Sequence, residues 1–172
     1  MSFNTISVIG LGYIGLPTAA MFAFKEKKVI GVDVNHHTVD TINAGKIHIV
    51  EPELDVMVKK AVEGGFLKAV TSAEPADAFL IAVPTPFLPT SSAGEIPQPN
   101  LTYIRSAAES IAKVLKKGDL VILESTSPVG TTEQMATWLA EERSDLTFPQ
   151  THGDNSDVMV AYCPERVLPG HV

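Results

Sequence analysis

The chain has 172 residues, of which 45% are hydrophobic and 19% are charged, and its formal net charge is −7. A chain of this length and composition is expected to form one globular domain around a well-formed core. The acidic balance and the lack of any Lys/Arg cluster longer than a pair argue against nucleic acid and anionic membranes as partners.

Cysteine content and the N-terminus indicate the compartment. Cys163 is the single cysteine, so an internal disulfide framework is excluded. The N-terminus enters an apolar strand pattern without a basic segment or signal-peptide core, and no apolar run approaches the ~20 residues of a membrane-spanning helix. We therefore expect a soluble, cytoplasmic protein. His36 and His37 have no cysteine or carboxylate constellation beside them, so we expect no metal site.

Apolar periodicity and turn residues predict six strands separated by helices and loops. The strands are expected at residues 6–10, 28–34, 67–71, 78–83, 120–123 and 158–162. The helices are expected at 14–25, at 36–44, from Leu54 to a stop at Gly64, from a cap at Asn100 to a stop at Gly118, and at 131–142. Residues 87–99 are expected to form a surface loop of unassigned function, and residues 144–157 a polar loop.

This element order predicts an α/β fold. With right-handed crossovers it gives a Rossmann-type doubly wound, mostly parallel six-stranded sheet in the order 3-2-1-4-5-6, spanning residues 1–172. Ligands of such sheets bind beyond the carboxyl ends of the strands. The residues that directly follow each strand are therefore the candidates for chemistry.

Three glycines follow the first strand at G-x-G-x-x-G spacing and precede an Ala-rich helix. This context is typical of a turn that holds a dinucleotide pyrophosphate at a helix N-terminus. Gly10 permits the tight turn, Gly12 lets the backbone approach the pyrophosphate, and Gly15 packs helix on strand. The N–H groups near Tyr13 and Ile14 are expected to face the anion. The alternative is that the glycines serve only a tight turn.

Asp33 ends the second strand, 18 residues after Gly15. An acidic side chain there accepts hydrogen bonds from the adenosine ribose hydroxyls, which favours NAD. A 2′-phosphate would meet this carboxylate directly, and residues 34–37 include no arginine to neutralise it. The alternative is that Asp33 only caps the next helix, although Asn35 is also suited to that role.

Hydroxyl side chains follow the fourth and fifth strands. Thr85 lies between two prolines, which aims one hydroxyl into the crevice unless the segment is only a strand terminator. The fifth strand leads through Ser125, Thr126 and Ser127 into a helix whose N-terminus is suited to an anion or a nicotinamide amide. A simple N-cap by Ser127 or Thr131 is the alternative, and both interpretations can hold together.

Two charged residues follow the last strand. Glu165 and Arg166 are expected to contact the substrate or to mark the exit to another domain, and a surface ion pair is the alternative. Cys163 has no histidine at motif spacing, so it is interpreted as a packed small hydrophobe rather than a nucleophile.

Six motifs in order carry a family resemblance. They are GLGYIG at 10–15, GVDV at 31–34, INAGKIHIVEPEL at 42–54, VPTP at 83–86, ESTSPVGTTE at 124–133 and CPERVLPG at 163–170. Together they resemble the NAD-binding N-terminal domain of the UDP-glucose/GDP-mannose dehydrogenase family. The forms VPTPF and YCPERVLPG are most similar to the branch of that family that acts on UDP-N-acetyl-D-mannosamine.

The resemblance implies oxidation of a sugar-nucleotide C6 alcohol to the carboxylate, with two hydride transfers to two NAD+ and a cysteine-linked intermediate, in the synthesis of bacterial surface polysaccharide. It implies that the substrate or the catalytic water network is reached by Glu165, Arg166 and Val167. By motif and position, the cofactor-binding residues are Gly10, Gly12, Tyr13, Ile14, Gly15, Asp33, Val83, Thr85 and Thr126.

The chain departs from the family pattern at its end. The family's catalytic cysteine lies in a G-G-H-C type motif and its catalytic lysine on a central helix, both beyond Val172, and Cys163 does not occupy that motif. The expectation is a fragment that binds NAD, carries no catalytic residue and does not turn over. The longer enzyme is expected to be a homodimer through its central helix.

Other functions remain open at this point. The chain is also compatible with another UDP- or GDP-sugar 6-dehydrogenase, a hydroxy-acid dehydrogenase or a non-catalytic NAD-binding module. A nucleotide-sugar epimerase would need a Tyr-x-x-x-Lys pair, and none of the windows that begin at Tyr13, Tyr103 or Tyr162 ends in lysine.

Overall fold

The computed structural model describes residues 3–89 and 96–165. Its centre is a six-stranded sheet in the order β3-β2-β1-β4-β5-β6, in which every neighbouring pair of strands is parallel. The strands are β1 (Thr5–Ile9), β2 (Lys28–Val32), β3 (Leu67–Val70), β4 (Ala78–Ile81), β5 (Leu120–Glu124) and β6 (Met159–Cys163). The predicted fold class and strand order are confirmed, and within the described residues the sheet is wholly rather than mostly parallel.

Six α-helices lie in the described ranges. They are α1 (Gly15–Phe24), α2 (His36–Asn43), α3 (Leu54–Glu63), α4 (Thr102–Ala112), α5 (Thr131–Glu142) and α6 (Pro149–His152), followed by a 3-10 turn at Gly153–Asn155. Five of them match the predicted helices, although α4 ends well before Gly118. No helix in the described part of the chain is long and apolar enough to cross a membrane.

The helical turns at 149–155 correct the prediction of a polar loop at 144–157. Phe148 is only 1% exposed and anchors the segment in the core. Pro149 then occupies the first helical position, where its fixed φ suits a helix and its missing N–H is not needed. A four-residue helix is too short to show a 3.6-residue apolar period, so the sequence pattern gave no sign of it.

Two apolar cores lie on the two faces of the sheet. Ile6 and Val8 of β1 pack in the core that includes α1, α2 and α3, whereas Ile9 packs in the core that includes α4 and α5. The inner strand β4 is buried on both faces, and its sequence is accordingly apolar at every position rather than alternating. The helices thus fix the strands from both sides, and the carboxyl ends of β1, β2, β4 and β5 open to one crevice.

The edge strand β6 is covered less well. Its last residues, including Tyr162 and Cys163, are exposed. The interpretation of Cys163 as a packed hydrophobe is therefore wrong for the described residues, because an edge strand has a neighbour on one side only and no described helix packs over its end.

The predicted surface loop at 87–99 is described at its two ends, and residues 90–95 lie outside the described residues. Phe87 and Pro99 form an antiparallel bridge, and the Leu88 N–H donates to the Gln98 carbonyl at 2.7 Å. These contacts hold the two ends of the loop together beside the end of β4.

Candidate cofactor-binding site

A cavity of about 700 Å³ lies at the carboxyl ends of the strands. Its size is in the range of ligand and cofactor pockets. The glycine turn, the ends of β2, β4 and β5, and one face of α4 line it. The cavity thus brings together most of the residues that the sequence selected: Gly10, Gly12, Tyr13, Ile14, Asp33, Val83, Thr85, Thr126 and Glu165.

The three glycines differ in what a side chain would meet. Gly10 has φ +91°, and a Cβ there would lie 2.8 Å from the Ala82 carbonyl oxygen. At Gly15 a Cβ would lie 1.8 Å from the Gly10 carbonyl oxygen, so this glycine is required by the contact between helix and turn. At Gly12 nothing in the described chain lies within 4 Å of an added Cβ. Gly12 therefore has no internal steric reason to be glycine, which favours the close approach of a ligand over a purely structural turn.

The N-terminus of α1 faces this turn. In the described structure no side chain caps the helix, and its first turn holds no acidic residue. The helix dipole and the first-turn N–H groups therefore present positive potential to the cavity. A pyrophosphate is the anion that such an arrangement fits.

Asp33 is half-buried at the end of β2 and connects it to the glycine turn. Its Oδ2 accepts a hydrogen bond from the Leu11 N–H at 3.0 Å, and its Oδ1 accepts one from the Asn35 N–H at 2.9 Å. The cap of α2 is Asn35, whose Oδ1 accepts from the His37 N–H at 2.9 Å, so the helix-capping interpretation of Asp33 is wrong. Each carboxylate oxygen can accept a further bond, which leaves Asp33 able to bind ribose hydroxyls.

Thr85 and Thr126 connect the ends of three strands. The Thr85 hydroxyl donates to the Thr126 carbonyl at 2.6 Å, and the Thr126 hydroxyl lies 3.3 Å from Glu165 Oε2. The Tyr162 hydroxyl donates to the Ser125 carbonyl at 3.1 Å. The segment after β4 therefore does more than terminate a strand, since its hydroxyl fixes the loop after β5.

The N-terminus of α5 lacks the N-cap by Ser127 or Thr131 that was the alternative for this segment. Gly130, with φ +90°, is the N-cap residue, and neither Ser127 nor Thr131 caps the helix. The Thr131 hydroxyl instead donates to the Pro128 carbonyl at 2.8 Å. The described cavity lining extends to Thr126 and does not include the first turn of α5.

Glu124 was missed as a site residue by sequence reasoning. It lies at the end of β5, lines the cavity, and its Oε1 accepts a hydrogen bond from the Thr18 hydroxyl of α1 at 3.4 Å. Burial raises the pKa of this carboxyl group, and the charge of Glu165 raises that pKa further, against the Thr18 hydrogen bond, which lowers it. The signal that could have revealed Glu124 in the sequence is its position directly before the hydroxyl residues that follow β5.

One wall of the cavity comes from α4 and was also missed. Tyr103, Ser106, Ala107 and Ser110 line it. Their spacing of three and four residues places them on one helical face, which is the signal that could have revealed them. The predicted substrate residues Arg166 and Val167 lie outside the described residues. Among the described residues, no group of three or more His, Cys, Asp or Glu side chains is placed to hold a metal ion.

The sheet order, the glycine turn on an uncapped helix and the carboxylate at the end of β2 define a dinucleotide-binding domain of the Rossmann type. Residues 4–172 match the sequence pattern of one family of such domains, the NAD binding domain of the UDP-glucose/GDP-mannose dehydrogenase family. The chain belongs to this family, and NAD is its cofactor. The resemblance found in the motifs is confirmed.

Relatives of known activity are similar over the whole chain. A UDP-N-acetyl-D-mannosamine dehydrogenase of Yersinia pestis is 69% identical over 172 residues, which are 100% of this chain and 40% of that protein. An NDP-N-acetyl-D-galactosaminuronic acid dehydrogenase of Ralstonia solanacearum is 64% identical over 100% of this chain and 39% of that protein. The chain thus spans about 40% of the length of these curated relatives.

Solved structures show the same fold. The UDP-N-acetyl-mannosamine dehydrogenase of Staphylococcus aureus superimposes with a TM-score of 0.83 at 37% identity, over 96% of this chain and 38% of that one. A UDP-D-ManNAc dehydrogenase of Pyrococcus horikoshii gives a TM-score of 0.82 at 40% identity, over 96% of this chain and 37% of that one.

Proposed function

We propose that this chain is the NAD-binding part of an enzyme that oxidises the C6 alcohol of UDP-N-acetyl-D-mannosamine to the carboxylate. The observation that carries the proposal is the 69% identity, over all 172 residues, to proteins of that activity from Yersinia pestis and Escherichia coli. The conversion of an alcohol to an acid removes four electrons, so two NAD+ each accept one hydride and water supplies the second oxygen.

The residues of this chain are assigned to parts of the cofactor. The turn formed by Gly10, Gly12 and Gly15 and the backbone N–H groups near Tyr13 and Ile14 hold the pyrophosphate. This assignment is supported by the open space at Gly12 and the uncapped start of α1.

The two ends of the cofactor lie on either side of β1. Asp33 binds the adenosine ribose, and Val83, Thr85 and Thr126 contact the nicotinamide half. The positions of these residues around one cavity support this orientation. Glu165, at the rim beside Thr126, is assigned with Arg166 and Val167 to the substrate side.

The family resemblance implies an intermediate that is linked to a cysteine, which requires a reactive thiol at the site of the chemistry. Cys163 is exposed at the end of β6 and is not among the residues that line the cavity. We therefore assign the catalytic cysteine and lysine to the additional length that the relatives have, and we expect this chain alone to bind NAD+ without producing NADH. The homodimer and the cytoplasmic location stay predictions.

A second candidate substrate has its own support. The Ralstonia solanacearum relative, at 64% identity, is an NDP-N-acetyl-D-galactosaminuronic acid dehydrogenase, so a different 2-acetamido sugar nucleotide is the alternative. Both functions use the same cofactor site. The two candidate functions differ only in the sugar nucleotide that is oxidised.

A chimaera tests the proposal. This chain replaces the matching segment of the Escherichia coli relative, to which it is 69% identical, and NADH formation is followed at 340 nm. We expect two NADH per UDP-N-acetyl-D-mannosamine, with the parent enzyme as the positive control and UDP-N-acetyl-D-galactosamine as the competing substrate. A chimaera that binds NAD+ but oxidises neither sugar, or that prefers the galactosamine substrate to the parent's own, would contradict the proposal.

A further inference from the structure

We propose that the Glu124 carboxyl group contacts the nicotinamide end of bound NAD and is a cofactor-contacting residue of this domain. Glu124 is not among the cofactor-binding residues inferred from the motifs. The inference rests on the NAD assignment and is independent of which sugar is oxidised.

Glu124 lines the cavity at the carboxyl end of β5. It is the last residue of β5, and Thr18 of α1 donates a hydrogen bond to its Oε1 at 3.4 Å. These two residues are 106 positions apart in the chain, so the contact joins the helix that follows the glycine turn to the strand that precedes Thr126. The side chain lies where the cofactor site and these two elements meet.

The second carboxyl oxygen of Glu124 is the observation that points to a ligand. Oε2 is buried and has no hydrogen-bond partner in the described part of the chain. A buried polar atom without a partner is costly and is rare in native proteins. Because Glu124 also lines the cavity, a polar group of a bound molecule is the natural partner for Oε2.

The strand order determines which part of NAD reaches Glu124. Asp33 lies at the end of β2, on one side of β1, and β4 and β5 lie on the other side. If the pyrophosphate lies over the turn after β1 and the adenosine ribose lies at Asp33, the nicotinamide half extends toward β4 and β5. The nicotinamide carboxamide carries both an N–H donor and a carbonyl acceptor, so it can bond to the carboxyl group in either protonation state.

The surroundings of Glu124 favour its neutral form more than those of an exposed glutamate do. Burial and the charge of Glu165 raise its pKa, and together they outweigh the hydrogen bond from Thr18, which lowers it. A protonated carboxyl group donates to the carboxamide oxygen, which avoids placing a second negative charge beside Glu165. This supports the geometric argument without replacing it.

Calorimetric titration with two ligands tests the inference. NAD+ contains the nicotinamide half and ADP lacks it, while both contain the adenosine and pyrophosphate. We expect Glu124→Ala to weaken NAD+ binding about tenfold, as for the loss of one well-placed hydrogen bond, and to leave ADP binding within about twofold of the wild-type value. Glu124→Gln keeps a donor and an acceptor and should retain most of the NAD+ affinity.

Two further variants complete the design. Glu124→Met keeps the side-chain volume without a hydrogen-bonding group and gives the same comparison if the alanine variant does not fold. Glu133→Gln, in the first turn of α5 and away from the cavity lining, is the matched control.

An equal loss of NAD+ and ADP affinity would show that Glu124 acts through α1 and would overturn the inference, as would unchanged NAD+ binding. A wild-type chain that binds neither ligand would overturn the cofactor assignment and this inference with it.

Discussion

Asp33 Oδ2 accepts a hydrogen bond from the Leu11 N–H at 3.0 Å, so the residue expected to bind the ribose also holds the glycine turn in place. The second oxygen accepts from the Asn35 N–H, which leads into α2. One carboxylate thus fixes the relative positions of two loops that a dinucleotide must contact at the same time. The affinity for the adenosine half and the geometry of the pyrophosphate site depend on the same side chain.

Asp33→Ala should therefore weaken NAD+ binding by at least tenfold. A hydrogen bond to a charged group contributes about 1.5 to 3 kcal/mol, and the variant also loses the support of the turn. Isothermal titration measures the effect, with Asp40→Ala on the exposed face of α2 as the matched control. Equal affinities of Asp33→Ala and the wild-type chain would remove Asp33 from the site.

Gly12→Ala and Gly15→Ala should separate binding from folding. Nothing in the described chain lies within 4 Å of a Cβ at Gly12. The free energy of unfolding of Gly12→Ala should therefore lie within about 0.5 kcal/mol of the wild-type value, while the variant loses most of its NAD+ affinity.

At Gly15 the added Cβ would lie 1.8 Å from a backbone carbonyl oxygen. We expect Gly15→Ala to lose about 2 kcal/mol or more of stability. Denaturant unfolding and NAD+ titration on both variants provide the measurement. Wild-type NAD+ affinity in Gly12→Ala would show that the turn is only structural.

The raised pKa of Glu124 predicts a pH-dependent cost to stability. The folded state holds this proton more tightly than the unfolded state, whose pKa is near the ordinary value of 4.5, so stability falls as the pH rises from that value through the folded pKa. Glu124→Gln removes this ionisation. Its free energy of unfolding relative to wild type should therefore increase from pH 4 to pH 7 in urea titrations, and a constant difference across this range would contradict the assignment.

Asp157 should show the opposite pH dependence. Its carboxylate lies 2.6 Å from the Lys117 ammonium group and accepts from the Thr147 hydroxyl at 2.9 Å, and these two contacts hold its pKa at about 2. The stabilisation is fully present above the ordinary pKa of 3.8 and is lost as the pH falls toward 2.

Asp157→Asn should therefore destabilise the chain at pH 7, and the difference should shrink between pH 4 and pH 2. Chemical unfolding at several pH values measures it, with Asp154→Asn at an exposed position as the control. If the two variants lost the same stability at every pH, Asp157 would have no special role.

The sheet and the glycine turn could be predicted from sequence because local patterns encode them. An inner parallel strand such as β4 is apolar on both faces, and the spacing of Gly10, Gly12 and Gly15 follows from the geometry of one turn and one helix. Asp33 could be placed because it ends a strand next to that turn.

The remainder of the site depends on contacts between distant residues. Glu124 contacts Thr18, which is 106 residues away in the chain. Tyr103 lines the cavity because α4 packs beside β4. The exposure of Cys163 depends on what packs beside an edge strand, which its own sequence does not specify. Local sequence patterns do not encode these contacts between residues that are distant in the chain.

The comparison of NAD+ with NADP+ in a calorimetric titration of this chain tests the central claim most directly. The additional 2′-phosphate of NADP+ would lie against the Asp33 carboxylate, with no arginine at residues 34–37 to neutralise it. We expect NAD+ to bind and NADP+ to bind at least tenfold more weakly. Equal binding, or tighter binding of NADP+, would contradict an NAD site organised around Asp33 and the glycine turn.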